Sequence, residues 1–205
     1  MNTSIAVLDY GMGNLRSVQR ALERVGARSE VTGDPDAASR ADALVVPGVG
    51  AFGACMRGLR DRALDRVIVE FARAERSVLG VCLGLQVLFD GSEEDPDAGL
   101  SLLPGTIRRI PDDAVKVPHM GWNEVSWTGD HPFVRGIPTG TRFYFVHSYA
   151  ADVDPAYTVG ETEHAARFAS VVTRGSVFGT QFHPEKSGEP GLAMYEAFSK
   201  EVSAA

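Results

Sequence analysis

Apolar residues fall in short, separated blocks along this chain, and the period of each block predicts the element it builds. The run SIAVLD (4–9) is strand-like and leads into a Gly-rich loop, YGMGN (10–14). LRSVQRALERVG (15–26) then sets Leu15, Val18, Leu22 and Val25 on one helical face, with Gly26 placed to cap the end. RSEVTG (28–33) reads as a second strand, and DALVVPGVGAFG (42–53) as a buried strand entering another Gly-rich loop. A helix is predicted over residues 54–75, a strand at SVLGVC (77–82) and a helix at LGLQVLFD (83–90). Strands alternating with helices through short loops predict a parallel sheet wrapped by helices.

The pattern changes after Pro104. As far as Phe182 the apolar runs are shorter and richer in Val, Tyr, Phe and Thr, and turns such as SWTGD (126–130) and TRGS (173–176) separate them. Such spacing predicts antiparallel strands. A last helix is predicted over 190–202, and no repeat or linker interrupts the chain. The expectation is one α/β domain over residues 1–205: a mostly parallel central sheet flanked by helices, with an antiparallel, β-rich second half.

Composition narrows the function classes. With 205 residues and 44% hydrophobic residues, a full core is available and disorder is disfavoured. No apolar run approaches the roughly 20 residues a membrane helix needs, so no membrane association is expected. MNTSIAVLDYG lacks a basic leader region, which predicts no signal peptide. The two cysteines, Cys55 and Cys82, form no C-x-x-C pair, which argues against a disulfide framework or a metal site and for a reduced, cytoplasmic location. Net charge is −7 without a Lys/Arg cluster, so nucleic acid is not an expected partner.

Candidate chemistry begins at Gly80-Val81-Cys82-Leu83-Gly84, which has the form of a nucleophile elbow with Cys in place of Ser. The glycines let strand and helix approach closely, and the sulfur is expected beside the helix N-terminus, where backbone N–H groups favour negative charge. A thiol nucleophile needs a base. Of the five histidines, His183 follows the strand-like SVFGTQF (176–182) and opens His183-Pro184-Glu185. Alternate residues of an extended segment share a side, so Glu185 can orient the His183 ring. An oxyanion hole needs backbone donors. The N–H of Leu83, just after the nucleophile, supplies one. The loop Gly48-Val49-Gly50, after the neighbouring strand, is the candidate for the other. Cys55 matches no motif and reads as packing.

The same loop raises a competing reading, because Gly48-Val49-Gly50-Ala51-Phe52-Gly53 matches G-x-G-x-x-G. A dinucleotide site also predicts an acidic residue at the end of the next strand. That strand ends in Cys82, so no nucleotide cofactor is expected, nor any other cofactor or metal.

Taken together, Pro47-Gly-Val-Gly, Gly80-Val-Cys-Leu-Gly-Leu-Gln86 and His183-Pro184-Glu185 resemble the motifs of class I (triad) glutamine amidotransferases, from the first strand to the last helix. DYGMGNL (9–15), PHMGWN (118–123), YFVHSY (144–149) and HPEKSG (183–188) are similar to one branch, the glutaminase subunits of imidazole glycerol phosphate synthases. The resemblance implies that Cys82 attacks the side-chain amide of L-glutamine, that His183 relays the proton and that Glu185 orients the ring. Water then hydrolyses the γ-glutamyl thioester to glutamate. It further implies that Gln86, Glu94 and the backbone of Ser148 and Tyr149 bind the substrate, with Glu93 or Asp95 as alternatives to Glu94. It implies a separate (β/α)8-barrel synthase subunit that uses the ammonia, with Asn14, Trp122, Asn123, Tyr144 and Lys186 at the docking face. The triad alone leaves open a glutaminase subunit of anthranilate, GMP or pyridoxal phosphate synthesis. A stand-alone cysteine peptidase and a catalytically silent binding subunit are further rivals.

Overall fold

The computed structural model describes residues 3–113 and 115–204. Its strands are β1 (Ser4–Leu8), β2 (Arg28–Thr32), β3 (Ala43–Gly48), β4 (Val78–Cys82), β5 (Gly91–Ser92), β6 (Thr106–Arg109), β7 (His119–Trp127), β8 (Thr141–His147), β9 (Tyr149–Ala150), β10 (Thr158–His164), β11 (Ala166–Arg174) and β12 (Val177–Thr180). Its helices are α1 (Leu15–Arg24), α2 (Pro35–Ser39), α3 (Phe52–Asp61), α4 (Leu64–Arg73), α5 (Leu83–Gln86) and α6 (Gly188–Ala204).

Nine strands form one sheet in the order β2-β1-β3-β4-β12-β11-β10-β7-β8. The first five run parallel, and the pairings from β12 outward to β8 are antiparallel. This is the expected division between the two halves of the chain, with one addition: β12, from the late segment, joins the parallel part beside β4. β5, β6 and β9 make a small second sheet.

The parallel strands are buried on both faces. In β3, Ala43 and Val45 pack into the apolar layer beneath α1 and α6, while Leu44 and Val46 pack into the layer beneath α3 and α4. That double burial is why β3 and β4 read as continuous apolar runs rather than alternating ones.

Three predicted helices differ from the observed ones. Residues 54–75 form two helices, not one, because Ala63 takes a left-handed conformation (φ 55°) that ends α3 and starts α4. The break turns Leu59 and Leu64 into the same core layer. The helix predicted over 83–90 stops at Gln86; Val87, Leu88 and Phe89 continue as a buried turn whose carbonyls accept hydrogen bonds from residues 100–103. The closing helix starts at Gly188 rather than 190. The short α2, capped by the Asp34 side chain, carries too little periodicity to be predicted.

Candidate active site

The elbow is built by three glycines whose missing side chains are filled by backbone. A Cβ on Gly80 would meet Leu85 Cα at 2.7 Å, one on Gly48 would meet Leu83 Cβ at 2.7 Å, and one on Gly84 would collide with the Val46 carbonyl oxygen. The end of β3 and the start of α5 therefore touch backbone to backbone. Gly48 pairs in register with Cys82 across β3 and β4. Cys82 itself sits at φ 55°, ψ −111°, a region costing a non-glycine residue about 1–3 kcal/mol. The strained turn holds the side chain, 5% exposed, at the sheet's C-terminal edge. With only four residues, α5 has almost no macrodipole; what remains near the sulfur is the N–H of Leu83, which has no intrahelical partner at the first helical position.

His183 reaches this edge from β12. Val177 to Thr180 pair in parallel with Val78 to Val81, which carries the chain up beside the nucleophile. The backbone N–H of His183 then donates to Tyr144 O at 2.9 Å. Its Nδ1 meets Glu185 Oε1 at 2.9 Å, and both side chains are almost wholly buried. The 3-10 turn Pro184–Lys186 folds the carboxylate back under the ring. Burial works to lower the His183 pKa, but the neighbouring Cys82 sulfur and the Glu185 carboxylate outweigh it and raise it to about 9. Among the described residues, the buried Nε2 of His183 makes no hydrogen bond. The three predicted triad residues are thus brought together, across about a hundred residues of chain.

Glu185 has two further neighbours. Asn14, at the start of α1, donates its side-chain amide to Glu185 Oε1 at 3.3 Å. Among the described residues, Oε2 and the hydroxyl of the fully buried Tyr195 are both without a hydrogen bond. Burial first, and the Glu185 charge second, push that hydroxyl well above the usual tyrosine range.

In front of Cys82 lies a cavity of about 170 Å³, lined by Val49, Gly50, Leu83, Gln86, Glu94, His147, Ser148 and Tyr149. Seven of these are residues predicted from the sequence. Of the three adjacent acids only Glu94 lines it, and its Oε2 accepts from Phe52 N at 2.9 Å. Glu93 turns to Arg108 at 3.0 Å, and Asp95 faces Arg57 at 3.7 Å. Gln86 Nε2 donates to Tyr149 O at 2.8 Å and to Gln181 Oε1 at 3.0 Å, and Gln181 Nε2 donates to the Cys82 sulfur at 3.7 Å. Gln181 was not anticipated, although its place two residues before His183 is the spacing that puts both on one side of an extended chain.

Three glycines of the G-x-G-x-x-G loop are in close contact with other parts of the chain. Leu83 and Gly84 fill the space at Gly48, Met12 Cε stands at Gly50, and the Asp95 carboxylate occupies the space at Gly53. Tyr10 donates its hydroxyl to the Pro47 carbonyl and receives the Cys55 thiol at 3.3 Å, so these buried side chains buttress the end of β3. Burial pushes the Cys55 thiol up to about 12. Cys55 packs, as its lack of a motif suggests.

Three of the five residues predicted for a docking face cluster on one side. Trp122 pairs with Tyr144 across β7 and β8, their rings 6.2 Å apart, and Lys186 Nζ lies 5.8 Å from the Tyr144 ring. Trp122 is 54% exposed and Met120 63%, which rules out a core aromatic at Trp122. Asn123 shares β7, and its amide turns back toward His119. The Asn14 amide points to Glu185.

The family described as glutamine amidotransferase class-I matches residues 6–202. The chain belongs to that family. Among curated proteins, it is 48% identical over 200 residues to the imidazole glycerol phosphate synthase subunit HisH of Moorella thermoacetica, covering 97% of this chain and 95% of that one. To the subunit of the same name from Mycolicibacterium paratuberculosis it is 51% identical over 196 residues, covering 93% and 94%. Among solved structures, PurLQS from Thermotoga maritima superposes with a TM-score of 0.77 at 20% identity, over 98% of this chain and 100% of that one. At that identity the likeness speaks to the class-I amidotransferase fold.

Among the described residues, no helix is long and apolar enough to cross a membrane, and no group of three or more His, Cys, Asp or Glu side chains is placed to hold a metal ion.

Proposed function

We propose that this chain is the glutaminase subunit of an imidazole glycerol phosphate synthase. It hydrolyses glutamine to glutamate and ammonia, and a (β/α)8-barrel synthase subunit takes up the ammonia to make imidazole glycerol phosphate and AICAR. The observation that carries the reading is that the His183–Glu185 pair lies beside Cys82, which lines a cavity with Gln86, Glu94, Ser148 and Tyr149. Relatives near 50% identity over almost the whole chain support the choice of branch.

His183 holds the Cys82 proton on Nε2 while the sulfur attacks the amide carbon, and Glu185 holds the imidazolium through Nδ1. The oxyanion is received by backbone N–H groups of Leu83 and of the 48–50 loop. His183 returns the proton to the departing ammonia. A water then attacks the thioester, with His183 as base, and frees glutamate. Gln86 and Glu94 hold the amino-acid end of the substrate, where the Glu94 carboxylate pairs with the α-ammonium. Trp122, Asn123, Tyr144 and Lys186 present the docking face for the barrel subunit. A reactive thiol fits the reducing cytoplasm.

The deciding experiment is a glutaminase assay with and without the synthase subunit and its nucleotide ligand. The reading expects turnover that rises on assembly. Absence of glutaminase activity in the assembled complex, or hydrolysis of peptides by the lone chain, overturns it.

A further inference from the structure

One wall of the substrate cavity is a histidine that the triad chemistry does not use. His147 closes β8, is buried, and lines the cavity beside Cys82. Its Nδ1 lies 2.8 Å from the carbonyl oxygen of Tyr149, and its Nε2 lies 2.9 Å from Nδ1 of His119 on β7. His119 Nε2 in turn lies 3.2 Å from the Asn123 amide nitrogen, whose group also donates to Glu163 O at 3.0 Å.

The chemistry of these atoms admits only one arrangement of protons. A carbonyl only accepts, so His147 must carry its proton on Nδ1. In a neutral ring its Nε2 then accepts, which requires the proton of His119 on Nδ1. His119 Nε2 is left as an acceptor, matched by the Asn123 N–H. Burial, the largest influence on each ring, lowers His147 to about 3 and His119 to about 4, which keeps both neutral.

The rings are also held against rotation. His119 is stacked on Phe145 at 4.8 Å and on His164 at 4.1 Å, and Phe168 meets His147 edge-on at 5.0 Å. The Tyr149 carbonyl that His147 grips is the same one that accepts from Gln86 Nε2. Through Gln181 that side chain connects to the nucleophile. The Tyr149 oxygen is the point where the two halves of this network meet.

We propose that His147 and His119 are positioning residues for glutamine hydrolysis: a donor-directed imidazole pair that fixes the Tyr149 carbonyl, and with it the Ser148–Tyr149 backbone and the Gln86 side chain, against the substrate. The proposal deepens the function above and rests on it. Both nitrogens of the His147 ring are engaged by His119 and the Tyr149 carbonyl, so the effect of the pair is on how substrate is held.

The test uses the complex with the barrel subunit, assayed once with glutamine and once with ammonium, which bypasses this chain's chemistry. His147→Leu removes the donor to Tyr149 and is expected to raise KM for glutamine about tenfold or more, with a smaller change in kcat. The ammonium-dependent rate should stay within about twofold, since the barrel site is separate. His147→Asn keeps an amide N–H near the position of Nδ1 and should recover most of the loss. An unchanged KM in a folded His147→Leu, or no recovery with His147→Asn, overturns the proposal. A second measurement needs no variant. ¹⁵N NMR of the wild-type chain must report the Nδ1–H form on both rings, and an Nε2–H form on either one overturns the pair even where His147→Leu fails to fold. If the wild-type complex lacks glutaminase activity while both rings are Nδ1–H, it is the functional reading that fails and not the geometry.

Discussion

The side-chain amide of Asn14 reaches Glu185 Oε1 at 3.3 Å, on the same oxygen that His183 engages through Nδ1. A residue of the first Gly-rich loop, 171 positions away in the chain, therefore helps hold the triad carboxylate. The loop and the His183 imidazole thus share one carboxylate oxygen.

Replacing this donor tests the link. Asn14→Leu should lower kcat/KM for glutamine about tenfold, the order expected for a hydrogen bond to a charged group, while association with the barrel subunit, measured separately by calorimetry, accounts for none of the loss. Asn14→Asp sets a second carboxylate against Glu185 and should do worse than Leu. Equal activity of all three chains refutes the link.

Cys82→Ser should abolish glutamine hydrolysis and leave the ammonium-dependent synthase rate of the complex intact. Loss of both activities in an assembled complex would contradict separate sites for the two half-reactions.

The strained backbone at Cys82 inverts an ordinary preference. In regular elements glycine is less favourable than alanine by about 0.5–1 kcal/mol. At φ 55°, ψ −111° alanine retains the strain and glycine releases it. Cys82→Gly should therefore be more stable than Cys82→Ala by about 1 kcal/mol in denaturant unfolding. Alanine as the more stable of the two would show that the bend is relaxed.

Gly84→Ala should be severely destabilising, by about 3 kcal/mol or more, because its Cβ runs into the carbonyl oxygen of Val46 and neither backbone can yield. Near-native stability, read from the urea midpoint, would mean that β3 and α5 are farther apart.

Acid should weaken the fold through His119 and His147. Both have native pKa values depressed below 6.5, to about 4 and about 3, by burial. The unfolded chain takes up protons first, so their contribution is complete above pH 6.5 and is lost as pH falls toward 4. Between pH 6.5 and 5 the loss should be roughly 1–3 kcal/mol, flatter in His147→Asn. His183, raised to about 9, is protonated in native and unfolded chains alike across most of that window and contributes little slope there.

What could be read from the sequence was local. The bend around Cys82 and the His183-Pro184-Glu185 turn each occupy a few consecutive residues, and the β-loop-α rhythm is written in the apolar period. Long-range pairing left no such mark. Gln181 meets Cys82 across 99 positions and Asn14 meets Glu185 across 171. His119 and His147 are set opposite each other only by the β7–β8 register. The early end of α5 was hidden for another reason: Val87, Leu88 and Phe89 are apolar because they are buried, and burial in a turn gives the same pattern as burial in a helix.

The placement of β12 beside β4 has a consequence for how the protein is made. Residues 177–180 must dock against 78–81 before the imidazole can reach the sulfur, so during translation the ribosome delivers the thiol long before its base. An unfinished chain can present Cys82 but cannot liberate ammonia, and the enzyme is silent until nearly its last helix has been synthesised.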